Sequence, residues 1–425
     1  MRRSDSIVSK LDWVTVSLFF LIVILGWLNI YAAVYDESIA QNIFSTTINS
    51  GRQLIFIGVC VLVIIAILVV DFKFYDTFAF FIYGAIIFLL IVVLLLGREV
   101  SGSTSWFELG PFRFQPSEFA KFATALAVAK YIGTSGFKMD YLRNQLILFA
   151  IIGSPVILIM LQGDTGTAMV YSIFLFVFFR EGMSPMLLIL GTAAAIIFIL
   201  TLLVPNHLYL YLGIALITVL LIFFGKKKPK RIIMIVAGAI FVAGMISSVD
   251  YIISNVLKPH QQNRIKSLIN PDIDPLGAGW NVTQSKIAIG SGGFSGKGFL
   301  RGTQTKFDFV PEQSTDFIFC TIGEEHGWIG SLVLIVLFVT LLMRLIFLAE
   351  RQKWRFARVY GYGVVCILFF HFAVNIGMTI GLFPVIGIPL PMFSYGGSSL
   401  IGFTILIFIF LKLDAHRMQV LVRGS

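Results

Sequence analysis

Leu54-Ile-Phe-Ile-Gly-Val-Cys-Val-Leu-Val-Ile-Ile-Ala-Ile-Leu-Val-Val70 carries no charge from end to end. A short charged break, Asp71 to Asp76, separates it from a second uncharged run, Phe78 to Leu96. A bilayer core of roughly 30 Å takes about 20 apolar residues in a helix that rises about 1.5 Å per residue. Two such runs joined by so short a break read as two membrane-spanning helices with a tight turn. The same reading repeats along the chain. Apolar runs at 12–34, 52–70, 74–96, 117–133, 145–161, 166–180, 185–204, 208–225, 232–248, 316–345, 358–382 and 396–413 predict an all-α polytopic membrane protein of about 12 helices. The chain reads as one integral membrane domain, residues 1–425.

Composition agrees. Of 425 residues, 58% are hydrophobic and 13% charged, against roughly 45–50% and about 25% in soluble domains. That excludes a soluble globular protein, a disordered tail and a nucleic-acid-binding domain. Five histidines against 42 phenylalanines argue against a His-rich metalloenzyme. Cys60, Cys320 and Cys366 lie far apart in or beside apolar runs, so neither a disulfide framework nor a zinc site is expected. The first run, Trp13 to Ala33, lacks a clear small-residue cleavage site and reads as an uncleaved helix. Asn281-Val-Thr283 matches a glycosylation sequon of the kind expected by chance.

The net charge of +10 then bears on orientation. With the N-terminus inside, the inner segments collect Lys10, Lys73, Lys138, Arg143, Arg180, Arg344, Arg351, Arg355 and Arg358. They also hold the run Lys226, Lys227, Lys228, Lys230 and Arg231, a topological anchor. The short outer loops hold only Arg52, Arg98 and Arg113, so both termini are expected in the cytoplasm. The segment 249–315 is expected as a long extracytoplasmic loop.

Three outer segments share an unusual chemistry. They are Ser101 to Glu118, the long segment with Asp274-Pro-Leu-Gly-Ala-Gly-Trp280 and Gly290-Ser-Gly-Gly-Phe-Ser-Gly-Lys-Gly298, and Phe383-Pro-Val-Ile-Gly-Ile-Pro-Leu-Pro391 through Ser399. Irregular backbone at membrane depth is tolerated only where protein buries it or it lines a cavity. A cavity opening outward, floored by helix ends, is expected. The glycine run 290–298, flanked by Lys286, Lys297 and Arg301, is either a flexible turn or a cradle for a lipid pyrophosphate; the turn is the simpler reading.

Ionisable groups in or beside spans sharpen this, because a charge at a helix centre costs about 2.5–3.5 kcal/mol on insertion scales. Glu118 and Lys121 are three apart on one helix face and can pair. Asp164 sits at the break Gln162-Gly-Asp-Thr-Gly166. Asp316 opens a span, with Glu324 and Glu325 deeper in it. Each has a purely structural reading, as an ion pair or as a carboxylate complementing a helix dipole. Each also has a functional one, since an ionised carboxylate at a cavity wall can take a proton from an attacking hydroxyl. Trp106 and Trp280 are interfacial anchors or sugar-stacking platforms.

Taken together, Gln115-Pro-Ser-Glu-Phe-Ala-Lys121, Gly277 through Gly298, Pro311-Glu-Gln-Ser-Thr-Asp-Phe-Ile-Phe319 with Gly323-Glu-Glu325, and Asn375-Ile-Gly-Met378 through Ser399 resemble the SEDS family of peptidoglycan glycosyltransferases, the RodA and FtsW proteins. The resemblance covers nearly the whole chain. The run Gln284 to Gly298 followed by Gly302-Thr-Gln304 is closer to the RodA, or elongation, members. It implies polymerisation of lipid II into glycan strands on the outer face of the cytoplasmic membrane, with undecaprenyl pyrophosphate released. It implies a class B penicillin-binding protein as partner. It maps the family's essential aspartate to Asp316, its Glu–Lys pair to Glu118 and Lys121, its further acidic residue to Asp164 and its loop tryptophan to Trp106.

The chain departs from the family pattern at several places. Thr104 and Ser105 precede Trp106 where a basic or amide residue is usual, Ser314 stands where His is common, and Trp280 and Ile386 replace Tyr and Thr. A proton relay through a histidine at 314 is therefore not available. The family has ten helices, so the surplus is expected as an inserted hairpin within 205–248. Under this reading Asp316 is the general base, with Lys121, Arg264 or a divalent cation such as magnesium stabilising the departing pyrophosphate. Lys286, Trp280 and Glu325 complete the candidate substrate-binding set. Two alternatives compete: a lipid II flippase or transporter, and a non-catalytic scaffold for a transpeptidase.

Overall fold

The computed structural model describes residues 7–35, 42–100, 102–110, 112–204, 206–225, 228–255, 262, 278–305 and 309–418. They form two compact units, 1–183 with 281–425, and 184–280. The larger unit carries α1 (Trp13–Ala33), α2 (Asn49–Val69), α3 (Ala79–Leu96), α4 (Pro116–Ile132), α5 (Leu142–Leu161) and α6 (Thr165–Arg180). The smaller unit carries α7 (Met186–Leu203), α8 (Leu208–Phe223) and α9 (Pro229–Asn255). Helix α10 (Ala278–Ser291) leads back into the larger unit, which ends with α11 (Ile318–Glu350), α12 (Arg355–Thr379) and α13 (Gly397–Ala415).

Eleven of the twelve expected runs fall on one helix each, and the run 74–96 falls on two. Eight of these helices are long and apolar enough to cross a membrane, and α6, α7 and α8 are shorter apolar helices. Helix α4 is the least apolar of the twelve because protein surrounds it: Ala120, Ala123, Ala125, Ala127 and Ala129 are all buried, and their small side chains let neighbouring backbones close in. Helices α12 and α13 are likewise enclosed, with Tyr360, Leu368, Phe403 and Phe410 in a continuous core.

Local signals set the helix starts. Asp12 caps α1 by accepting from Thr15 N at 3.0 Å, and Asp164 caps α6 by accepting from Thr167 N at 3.0 Å. Pro116 occupies the first turn of α4, where its missing N–H costs nothing. In the smaller unit, the Tyr211 hydroxyl on α8 and Ser247 Oγ on α9 meet at 2.9 Å.

Three expectations need correction. The run 74–96 is two helices, a short Phe72–Thr77 capped by Asp71 and then α3. The outer segment 101–118 is partly a sheet: β1 (Arg98–Val100), β2 (Ser103–Leu109) and β3 (Phe112–Phe114) form an antiparallel meander in that order. Its strand residues Trp106, Phe107 and Phe114 suit a pleated surface. The segment 249–315 is not simply a loop, because α9 runs on to Asn255 and α10 is helical. Hydropathy marks where lipid is expected, and a helix whose serines bond back to its own carbonyls, as Ser247 and Ser248 do, outlasts the apolar run.

Candidate active site

The site is built on an irregular stretch, 381–396, between α12 and α13. Pro384, Pro389 and Pro391 bar it from becoming a helix, yet Ile388, Leu390, Met392 and Phe393 are buried. Its backbone groups therefore need partners from elsewhere. Asn375 on α12 donates to the Ile388 carbonyl at 2.8 Å, Gln53 on α2 accepts from Gly396 N at 3.3 Å, and Ser394 Oγ accepts from Leu390 N at 2.9 Å. Close approach is allowed by glycine: a Cβ on Gly26 of α1 would lie 2.6 Å from the Phe393 carbonyl oxygen.

Asp316 lies against this stretch, just before α11. Its backbone carbonyl accepts from Asn375 Nδ2 at 2.8 Å. The Thr315 carbonyl accepts from Ser394 Oγ at 2.6 Å, and the Ser314 carbonyl from Tyr395 N at 2.9 Å. Further grips come from α1 and α2, where Asn29 donates to the Ile318 carbonyl at 3.1 Å and Asn49 to Ser314 Oγ at 3.1 Å. The Asp316 side chain is partly exposed.

Glu118 and Lys121 are different in kind. Both are 3% exposed, and Lys121 Nζ donates to Glu118 Oε2 at 2.7 Å. The ammonium also lies 3.1 Å from His371 Nε2 and 4.8 Å from the centre of the Phe403 ring. Lys121 is thus enclosed by Glu118, His371 and Phe403 inside the protein. Asp164 is partly exposed, but both its oxygens accept, Oδ1 from Thr167 N and Oδ2 from Gln115 Nε2 at 3.1 Å. Gln115 N in turn donates to Ser398 Oγ at 3.1 Å. The N-terminal ends of α4, α6 and α13 are thereby tied together, and an assembly of helix N-termini favours an anion.

The glycine run 290–298 buckles onto α11. Helix α11 breaks at Gly327 (φ 62°, ψ −154°). The break leaves backbone groups unsatisfied, and the run supplies partners in both directions. Lys297 N and Gly298 N donate to the Glu324 and Glu325 carbonyls, while Trp328 N and Ile329 N donate to those of Gly293 and Phe294. Two of its amides, Lys297 and Gly298, are spent on α11, and those of Gly292, Gly293 and Gly296 donate to the carbonyls of Ile289, Gly290 and Gly292. The fully buried Glu324 carboxylate accepts from Lys297 Nζ, Thr303 N and Gln304 N on one oxygen and from Thr305 N and Oγ1 on the other. Glu325 is 1% exposed and one of its oxygens lacks a hydrogen-bond partner among the described residues. Neither glutamate belongs to the Asp316 network.

The remaining candidates are scattered. Lys286 is exposed on α10 against Gly381, at the C-terminal end of α12, where a cation suits the helix dipole. Trp106 is half-buried on β2, paired with Arg98 on β1. Trp280 is in the first turn of α10, and Arg264 lies outside the described residues. Among the described residues no three acidic, histidine or cysteine side chains gather as metal ligands. Sequence reasoning missed His371, and gave no role to Asn375 or Gln115.

A family model for FtsW, RodA and SpoVE, described as cell cycle protein, matches residues 12–211 and 188–419. The chain belongs to the FtsW/RodA/SpoVE family. Among family members it is 36% identical to the peptidoglycan glycosyltransferase MrdB of Escherichia coli K12, over 81% of this chain and 79% of that one. It is 34% identical to the peptidoglycan glycosyltransferase RodA of Treponema pallidum, over 82% and 86%. A solved chain from a peptidoglycan synthase complex, described as coordinating polymerization and crosslinking, superposes with a TM-score of 0.70 at 27% identity, covering 96% of this chain and 99% of that one. Family membership, with the apolar helices, makes this a multi-pass membrane protein.

Proposed function

We propose that the chain is the peptidoglycan glycosyltransferase of cell elongation, polymerising lipid II on the outer face of the cytoplasmic membrane. Both termini are cytoplasmic in this reading, and the end bearing Asp316 faces outward. The acceptor's GlcNAc 4-hydroxyl attacks the donor's MurNAc anomeric carbon. Asp316 takes the hydroxyl proton, the α-linked donor inverts to a β-1,4 bond, and undecaprenyl pyrophosphate leaves. The tied N-termini of α4, α6 and α13 and the exposed cations Arg113 and Lys286 favour the departing negative charge. A class B penicillin-binding protein is the proposed partner, supported by the synthase-complex neighbour.

The observation that carries the reading is where Asp316 stands: just before α11, partly exposed, on a backbone fastened at three successive carbonyls. The test is purified full-length protein in liposomes with fluorescent lipid II. Muramidase-sensitive polymer is expected. Translocation of lipid II without polymer would replace the reading with a flippase, and neither activity with intact transpeptidase binding would replace it with a scaffold.

A further inference from the structure

We infer that His371 and Asn375 are positioning residues for Asp316, through which the buried Glu118–Lys121 pair sets where the reactive carboxylate sits. This rests on the glycosyltransferase reading for its functional half. The two residues are four apart on α12 and so stand one above the other on one face. Both are fully buried.

The donors can be accounted for one by one, while Asn375 Oδ1 is buried with no hydrogen-bond partner among the described residues. Asn375 Nδ2 has two hydrogens, and the Asp316 and Ile388 carbonyls take them, each at 2.8 Å. His371 Nδ1 lies 3.2 Å from the Pro389 carbonyl, which can only accept, so Nδ1 carries the ring hydrogen. That leaves Nε2 a lone pair, 3.1 Å from the Lys121 ammonium, which can only donate. Lys121 therefore selects the tautomer that holds Pro389. Adjacent peptide units, 388 and 389, hang on two rungs of α12. The same stretch, through Ser394 and Tyr395, grips the Thr315 and Ser314 carbonyls. Gln53 and Ser394 fasten the later part of the stretch, and His371 and Asn375 hold its 388–389 part; a misplacement of about 1 Å at a reacting group can cost on the order of 100-fold in rate.

The experiment compares His371→Asn, His371→Gln and His371→Ala in the full-length protein. The asparagine amide can replace the Nδ1 donor to Pro389, whereas the glutamine amide falls at the Nε2 position. His371→Gln and His371→Ala should lower kcat for lipid II by about 10- to 100-fold with KM within about twofold, and His371→Asn should recover to within about threefold of wild type. Backbone amides of 312–318 and 386–396 should exchange with deuterium about tenfold faster in His371→Gln but not in His371→Asn. Gln matching wild type, a change in KM in place of kcat, or unchanged exchange in His371→Gln would overturn the inference. If wild type makes no polymer, the glycosyltransferase reading fails by itself, and exchange alone decides the tether. Should His371→Gln not fold, Asn375→Ser is read by the same two measurements.

Discussion

Replacing Lys121 with methionine keeps most of the stem and removes the ammonium. The structure sets the size of the effect. The charge sits 2.7 Å from Glu118, both side chains are 3% exposed, and the Phe403 ring closes one side. Lys121→Met would leave a carboxylate buried without its cation, which costs about 3–5 kcal/mol when one partner of a buried pair is removed. Glu118→Gln in the same chain removes the stranded charge, so the double variant should be more stable than Lys121→Met alone, with a coupling energy of about 2–3 kcal/mol. Unfolding by denaturant in mixed micelles, run as a double-mutant cycle, measures this. A Lys121→Met cost below about 1 kcal/mol, or additivity within about 0.5 kcal/mol, would refute a buried, mutually dependent pair.

Three further outcomes are expected. Burial works against the Asp12 carboxylate, but hydrogen bonds from Arg344 and Thr15 prevail and hold its pKa at about 2, down from 3.8. A depressed carboxylate pKa stabilises above the unfolded value and loses that contribution as pH falls through the folded one. Wild type should therefore exceed Asp12→Asn by about 1–2 kcal/mol from pH 5 to 8, after discounting for the partly exposed Arg344, and the gap should close between about pH 4 and 2. Gly327→Ala would set a Cβ 2.4 Å from Gly296 N at a φ of 62°, and should lower unfolding stability by about 2–4 kcal/mol in the same micelle assay. Glu324→Gln replaces an oxygen that accepts several hydrogen bonds with an amide that donates, so trypsin should cut faster after Lys297 and Arg301, as read by mass spectrometry.

The helices were legible because lipid demands long apolar runs, and 54–70 and 78–96 have no other reading. Helix α4 was found despite its charges, although its alanines face protein and not lipid. What stayed hidden depends on distant partners. Of the strands at 98–114, β1 and β3 are three residues each, and β2, Ser103-Thr-Ser-Trp-Phe-Glu-Leu109, does not alternate. The glycines at 292–298 look like a loose turn until α11 is seen to break against them. Asp316, Glu118 and Lys121 could be picked out as charges in apolar company. His371 could not, because what gives it a role is a lysine 250 residues earlier in the chain and a proline carbonyl in the next loop. The same holds for Asn375, whose two acceptors lie in separate segments.

The most direct test is the polymerisation rate of Asp316→Asn at saturating lipid II, with lipid II affinity measured on the same preparation. Loss of a general base predicts a fall of about a thousandfold in rate, with affinity within about threefold of wild type. A variant that still polymerises within about tenfold of the wild-type rate would contradict the assignment of Asp316 as the proton acceptor.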